Sequence, residues 1–156
     1  MLSLRGCHRD TDARFVDDLN HRRALDELAA GELPDELVEQ IASLQATARR
    51  AGYERESAQV LLVCRDDEPI GFACLQVSET AHHLVDLCLQ PQARGHGTGT
   101  WVLEQLMSNA DAAGCDLVLT ARSDSSVSDW YRRHGFEPES EIGPDVGMRR
   151  KPRVAA

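Results

Sequence analysis

The spacing of apolar residues is helical in the first third of the chain and strand-like in the middle. Apolar side chains recur every three or four positions between residues 37 and 48, which predicts an α-helix that begins at Pro34 and ends at Gly52. An earlier helix is predicted to begin at a cap near Asp10 and to end at Gly31. The N-terminal part of the chain is therefore expected to supply a pair of consecutive helices.

Short apolar runs separated by turn residues follow these helices, which is the pattern of β-strands. Two of the runs are joined by a short acidic turn and predict a hairpin. Helical spacing returns after a glycine-rich loop and stops at Gly114, and a short helix is predicted around Trp130. The predicted strands are 3–7, 59–64, 70–77, 83–89, 117–120, one that follows Phe136, and 146–148. This order of elements predicts a mixed α/β (α+β) fold in which helices pack on one sheet.

The length and composition fit one globular domain. The chain has 156 residues, of which 42% are hydrophobic and 28% charged, close to the average for soluble domains. We predict a single domain over residues 1–150 and a short C-terminal tail over residues 151–156. No apolar run is long enough to cross a bilayer, and the first residues lack the apolar stretch of a signal peptide. A cytoplasmic protein without a membrane partner is therefore expected.

The charge of the chain narrows the range of partners. It has 17 Lys and Arg against 26 Asp and Glu, a formal net charge of −9. Such a surface repels phosphate backbones, so no nucleic-acid partner is expected. It favours a cationic small molecule or a basic peptide, although acidity can also serve only solubility.

The cysteines and histidines do not have the spacing of a metal site. There are 5 cysteines without a CxxC pair, and three of them lie in apolar runs, which is typical of small buried side chains. The neighbours His82 and His83 would face opposite ways on a strand and could not easily share a metal. No metal site is predicted.

The most informative segment joins a strand to a helix through three alternating glycines. It reads Arg94-Gly95-His96-Gly97-Thr98-Gly99-Thr100. Glycines allow a tight turn and a close approach to the backbone, and the first amides of the helix have no intrahelical acceptor. This arrangement favours a phosphate group, with a plain flexible connector as the alternative. A P-loop would need a lysine after Gly99, and a Rossmann motif has a different glycine spacing.

The glycine segment resembles the motif Q/R-x-x-G-x-G/A of the GNAT superfamily of acyl-CoA N-acyltransferases. A second segment, Trp130-Tyr131-Arg132-Arg133-His134-Gly135-Phe136, is similar to the L-Y-x-x-x-G-F segment of that family. The two segments are spaced as in the family, and the resemblance covers roughly residues 3 to 150. It implies a GNAT fold, with a mixed, mostly antiparallel central sheet flanked by helices and a splay between the fourth and fifth strands.

The resemblance also implies acetyl-CoA as co-substrate and a set of residues that bind it. The pantetheine would pair with the backbone of Leu87, Cys88 and Leu89, and the amide of Cys88 or of a neighbour would form an oxyanion hole. Many relatives carry asparagine where this chain has Asp124, which cannot donate when ionised. The residues expected around the phosphates are Arg94, Gly95, His96, Gly97, Thr98, Gly99 and Thr100.

Three residues are candidates for acid and base catalysis. In the family, the tyrosine equivalent to Tyr131 protonates the departing thiolate, and a phenol suits this role at neutral pH; a packing tyrosine is the alternative. Asp86 and His83 are alternative general bases. Asp86 is favoured because burying an unpaired charge is costly, so a carboxylate in an apolar run indicates a specific role. On an undistorted strand the two would face opposite sides. A structural partner of an arginine is the competing interpretation of Asp86.

These features predict an N-acetyltransferase that acts by direct attack of a primary amine, carried by a small molecule or a peptide. A noncatalytic acyl-CoA-binding regulatory module on the same fold is the alternative. A structural domain whose glycine loop binds nothing is a third interpretation. The identity of the acceptor is left open, because acceptor specificity in one fold varies with its loops. A homodimer is also left open.

Overall fold

The computed structural model describes residues 1–8 and 10–154, which form a seven-stranded sheet with helices on both faces. The strands are β1 (Leu2–Gly6), β2 (Gln59–Arg65), β3 (Glu68–Val77), β4 (Ala81–Leu89), β5 (Asp116–Arg122), β6 (Glu137–Ile142) and β7 (Asp145–Arg150). The helices are α1 (Asp10–Leu28), α2 (Asp35–Arg55), α3 (Thr98–Ala113) and α4 (Ser126–Arg133), and a 3₁₀ turn lies at Pro91–Ala93.

The sheet is mixed and mostly antiparallel, which confirms the predicted fold class. Its strand order is β1-β2-β3-β4-β5-β7-β6. The central pair, β4 and β5, is parallel, and the other neighbouring pairs are antiparallel. The predicted element bounds are close to those observed, with two corrections. Gly52 lies inside α2, which continues to Arg55, and Pro34 is the N-cap of that helix rather than its first residue.

The two central strands separate soon after they begin to pair. β4 and β5 are in register only from Ala81 opposite Asp116 to His83 opposite Val118. β5 continues to pair with β7 as far as Arg122, while the rest of β4 keeps only β3 as a neighbour. The predicted splay between strands four and five is therefore confirmed, and it leaves one backbone edge of β4 open beyond His83.

Two apolar clusters fill the two faces of the sheet. The first lies under α3 and α4 and includes Leu103, Leu106 and Phe136. The second lies under α1 and α2 and includes Val16 and Phe72. Each face is covered because an exposed apolar sheet face would leave hydrophobic surface in water.

A β-bulge in β4 changes which side chains share a face. Cys74 of β3 is opposite Asp86, whereas the next residue of β3 is opposite Leu84, so Val85 is an extra residue in β4. Leu84 packs under α3, and Val85 packs under α1 and α2. Asp86 bonds to α1 and α2, so Val85 and Asp86 project to the same side. His83 is next to Leu84, so alternation places it on the opposite side of the sheet, which is the side of α1 and α2. Because the bulge adds one residue to the pattern, Asp86 lies on that side as well.

Other sequence expectations concern the membrane, metals and cysteines. No helix of the described residues is long and apolar enough to span a bilayer. Within residues 1–8 and 10–154, no three His, Cys, Asp or Glu side chains are grouped so that they could hold a metal ion. The five cysteines are free thiols, and four of them are buried. The predicted tail is described only as far as Val154, and its last two residues lie outside the described residues.

Candidate active site

A cleft of about 650 Å³ lies where β4 separates from β5. It passes over the open edge of β4, from the glycine loop and α4 on one side to α1 on the other. The lining residues are Arg23, Leu87, Cys88, Leu89, Arg94, Gly95, Gly99, Ser126, Val127, Trp130, Tyr131 and Arg133. The cleft therefore brings together the predicted strand backbone, the glycine loop and Tyr131.

The hydrogen bonds of β4 show which backbone groups face the cleft. The amide of Gln90 donates to the carbonyl of Ile70 at 2.8 Å, and the carbonyl of Cys88 also points at β3, close to Gly71. Because backbone groups alternate along a strand, those of Leu87 and Leu89 point to the open edge. In agreement, the carbonyl of Leu89 accepts a hydrogen bond from Arg94 Nε at 3.1 Å. The predicted oxyanion donor is thus better placed at a neighbour of Cys88 than at Cys88 itself.

The glycine loop takes a conformation that other residues rarely adopt. The φ angles of Gly95 and Gly97 are 78° and 79°, in the left-handed region that favours glycine. Gly97 is the N-cap of α3, so no side chain of the N-cap residue bonds to the first amides of this helix. The first helical bond runs from the amide of Trp101 to the carbonyl of Gly97 at 3.0 Å. The amides of Thr98, Gly99 and Thr100 have no intrahelical acceptor and form the positive end of the helix dipole.

The side chains predicted to surround the phosphates are less uniformly placed. Thr98 is buried, and its hydroxyl accepts a hydrogen bond from Arg65 at 3.1 Å, so its amide is the group offered at the helix terminus. His96 is exposed and lines a separate depression that it shares with Arg65. Asp124 is exposed and lies 3.7 Å from Arg122 in an ion pair, outside the cleft lining. The roles of these side chains in cofactor binding stay predictions.

Tyr131 is packed into the wall of the cleft by two other aromatic rings. Its ring centroid lies 4.9 Å from that of Trp130 and 5.5 Å from that of Phe136. It is 8% exposed. Burial, aided by the negative charge of Asp86, raises the pKa of Tyr131 to about 12. The phenol therefore keeps its proton throughout the physiological pH range and can donate it.

Asp86 is held by three side chains from α1 and α2. Arg23 donates to both carboxylate oxygens at 2.9 and 2.7 Å, Arg49 donates at 3.3 Å, and the hydroxyl of Tyr53 also donates to it. Burial alone would raise the pKa of Asp86, but the hydrogen bonds and charge of Arg23, followed by the Tyr53 bond, hold it below its usual value. These contacts fit the competing interpretation of Asp86 as a structural partner of an arginine.

His83 occupies a different part of β4. It lies in the short stretch that pairs with both β3 and β5, it is half-buried, and it is not part of the cleft lining. Asp86 is also outside that lining and reaches the cleft through Arg23. The identity of the general base therefore stays a prediction.

Five lining residues were missed by the reasoning from sequence: Arg23, Ser126, Val127, Trp130 and Arg133. Ser126 and Val127 precede Trp130 and Tyr131 by four positions, so helical spacing could have placed them on the same face of α4. Arg133 follows two residues later. Arg23 has no such signal, because its place at the cleft depends on how α1 packs against β4.

A family model described as an acetyltransferase (GNAT) domain matches residues 56–138, more than half of the chain. A search of curated protein sequences finds no match.

Several solved structures are similar in fold. The PaiA N-acetyltransferase from Thermoplasma acidophilum, in complex with coenzyme A, aligns with a TM-score of 0.72 at 19% identity, over 97% of this chain and 99% of that chain. The ribosomal-protein-S18-alanine N-acetyltransferase from Escherichia coli aligns with a TM-score of 0.69 at 17% identity, over 100% and 97%. A GNAT family acetyltransferase from Elizabethkingia anophelis with acetyl-CoA bound aligns with a TM-score of 0.61 at 17% identity, over 96% and 97%. The chain belongs to the GNAT acetyltransferase family.

Proposed function

We propose that the chain is an acetyl-CoA-dependent N-acetyltransferase that modifies the primary amine of a small molecule or peptide. The observation that carries the proposal is that one cleft is bordered by an open strand edge, an uncapped helix N-terminus and a buried tyrosine. Each of these features fits a different part of an acyl-CoA molecule. A cytoplasmic location remains a prediction from the sequence.

The residues of the cleft fit the polar groups of acetyl-CoA. The pyrophosphate is an anion, and the free amides of Thr98, Gly99 and Thr100, together with Arg94 beside them, offer donors and positive charge. The pantetheine arm contains two amide groups, which can pair with the outward-facing backbone of Leu87 and Leu89 in the manner of an added strand. Bound acetyl-CoA would supply a thioester carbonyl that an amine can attack.

The chain's own residues would then act on charge and protons. An outward-facing amide of β4, from Leu87 or Leu89, would donate a hydrogen bond to the oxygen that becomes negative during attack. Tyr131 would hold the proton that the departing thiolate takes up. Asp86 or His83 would accept a proton from the amine. Because the pKa of Asp86 is held below its usual value, this carboxylate retains a proton poorly.

Two measurements test the proposal. Acetyl-CoA at about 100 times its Kd should stabilise the folded chain by about 2.7 kcal/mol, which a thermal-shift assay detects. Release of free coenzyme A should then appear in a thiol assay when a panel of primary amines is added. The absence of a thermal shift at millimolar acetyl-CoA would contradict the proposal. A shift without release on any amine would instead support the noncatalytic acyl-CoA-binding module.

A further inference from the structure

The charges that line the cleft have the opposite sign to the protein as a whole. The chain has a formal net charge of −9, yet the charged residues of the cleft lining are Arg23, Arg94 and Arg133, with no Asp or Glu among the described residues that form it. Clefts concentrate the field of the charges that line them. The ligand of this cleft is therefore expected to carry negative charge.

Only part of this positive charge lies beside the phosphate end of the cleft. Arg94 follows the 3₁₀ turn and adjoins the glycine loop, and Arg133 belongs to α4 on the same side of the sheet. Arg23 comes from α1 and meets Asp86 on the opposite face of β4. It is thus separated from the phosphate-binding loop by the open edge of the strand, where an acceptor would have to reach the thioester.

A second arginine, Arg49 of α2, lies outside the cleft lining but shares Asp86 with Arg23 and is not fully bonded. Arg49 touches Asp86 through one nitrogen at 3.3 Å, its side chain is 39% exposed, and its other nitrogens have no hydrogen-bond partner within the described part of the chain. Nε of Arg23 is buried and also lacks a partner there. With one carboxylate between two guanidinium groups, the cluster keeps one excess positive charge.

From this cluster we propose that Arg23 and Arg49 bind a carboxylate of the acceptor, so that the acceptor is a small amine of the amino-acid type. The proposal rests on the proposed function and names its substrate class. A guanidinium offers planar donors that match a carboxylate, and one carboxylate balances the one excess charge. A cationic acceptor, which the net charge of the chain favours, would instead meet like charge at Arg23, where burial weakens the screening by water.

The first test compares amines that differ only in the carboxylate. Coenzyme A release is measured with L-methionine, L-phenylalanine and β-alanine, with the carboxamide of each, and with 1,3-diaminopropane as the cationic amine. We expect kcat/KM to be at least about tenfold higher for at least one of the acids than for its carboxamide, since a hydrogen bond to a charged group has this magnitude. The amine of a carboxamide is the more easily deprotonated, so amine reactivity cannot produce this preference. Equal rates within every pair, or a preference for the diamine, would overturn the proposal.

The second test assigns the preference to Arg49. Arg49→Gln should raise the KM for the preferred acid about tenfold and leave the Kd of acetyl-CoA unchanged, so that the ratio of kcat/KM for the acid to kcat/KM for its carboxamide falls by about the same factor. Arg49→Lys, which keeps the charge, should restore part of the preference. Arg50→Gln is the matched control, because Arg50 is the next residue of α2 and pairs with Asp17 instead. An acid preference that survives Arg49→Gln would remove Arg49 from the proposed site.

A failure of this proposal can be distinguished from a failure of the proposed function. If no amine releases coenzyme A, binding of the same acids and carboxamides to the chain with coenzyme A is measured by calorimetry. Binding of acids alone, weakened by Arg49→Gln, would support the carboxylate site while contradicting acetyl transfer. Coenzyme A release that does not distinguish acid from carboxamide would support acetyl transfer and contradict the carboxylate site.

Discussion

Replacing Asp86 by Asn should destabilise the fold, because it leaves Arg23 without its counter-charge. The side chains of Arg23 and Asp86 are 16% and 12% exposed, and they share two hydrogen bonds at 2.9 and 2.7 Å. Removing one partner of a buried pair costs about 3–5 kcal/mol. Asn keeps the shape and one acceptor oxygen, so we expect the lower end, about 3 kcal/mol. For about 150 residues this lowers Tm by about 6–12 °C.

The matched control for this measurement is Asp17→Asn. Asp17 pairs with Arg50 at 2.8 Å, but the two side chains are 35% and 51% exposed, and exposed pairs contribute at most about 1 kcal/mol. Thermal unfolding at neutral pH should therefore separate the two variants clearly. A Tm for Asp86→Asn that matches that of the control would refute the argument that the Asp86 pair stabilises the fold.

The pH dependence of stability provides an independent check of Asp86. Its pKa in the folded chain is lowered, so the folded state favours the ionised carboxylate. The contribution to stability is present above the unfolded pKa, about 3.9, and is lost as pH falls through the folded pKa. The Tm difference between Asp86→Asn and the parent should thus be full at neutral pH and shrink in acid.

Three further experiments test other parts of the molecule. Tyr131→Phe removes the proton donor but keeps the ring, so kcat should fall about 100-fold, the low end of the usual loss of general-acid catalysis, because a thiolate leaves readily. The Kd of acetyl-CoA, measured by calorimetry, should not change. Normal turnover would exclude Tyr131 from the mechanism. Gly97→Val, at a φ of 79°, should lower both stability and acetyl-CoA affinity. The control Gly143→Val, at a φ of 59° in the turn between β6 and β7, should lower stability alone. Equal acetyl-CoA affinity in the two variants would exclude the glycine loop from the acetyl-CoA site. Asp111→Asn should lower the free energy of unfolding by about 2 kcal/mol in urea without changing kcat, because Asp111 bonds the buried Arg150 at 2.8 and 3.1 Å; unchanged stability would contradict a structural role.

The regular elements and the glycine loop could be predicted because their signals are local. Helical spacing, turn residues and three alternating glycines all act within a few residues of the structure that they produce. The predicted strands and helices accordingly lie close to their observed bounds. Gly52 shows where a local signal fails, because a glycine stops a helix only when the surrounding packing does not favour its continuation.

The partners of Asp86 could not be predicted, because they are distant in sequence. The reasoning from sequence required a partner for a carboxylate in an apolar run, and it named an arginine as one alternative. Arg23 is 63 residues away, Arg49 is 37 and Tyr53 is 33. No spacing rule connects positions that far apart, so the contact depends on how α1 and α2 pack on the sheet.

The bulge at Val85 explains how one strand serves two faces of the cleft. Without the extra residue, strict alternation would place Asp86 on the same face as Leu84, in the apolar cluster under α3 and away from Arg23, where burying its charge would be costly. With the bulge, Asp86 faces Arg23, and Leu87 and Leu89 pack against the cluster under α3 instead of facing the other side of the sheet. Bulges also increase the local twist of a strand, and β4 loses its pairing with β5 in this same region, after His83. One inserted residue thus accounts for the position of the charge cluster beside the open backbone edge, and it places the proposed carboxylate site next to the proposed thioester site.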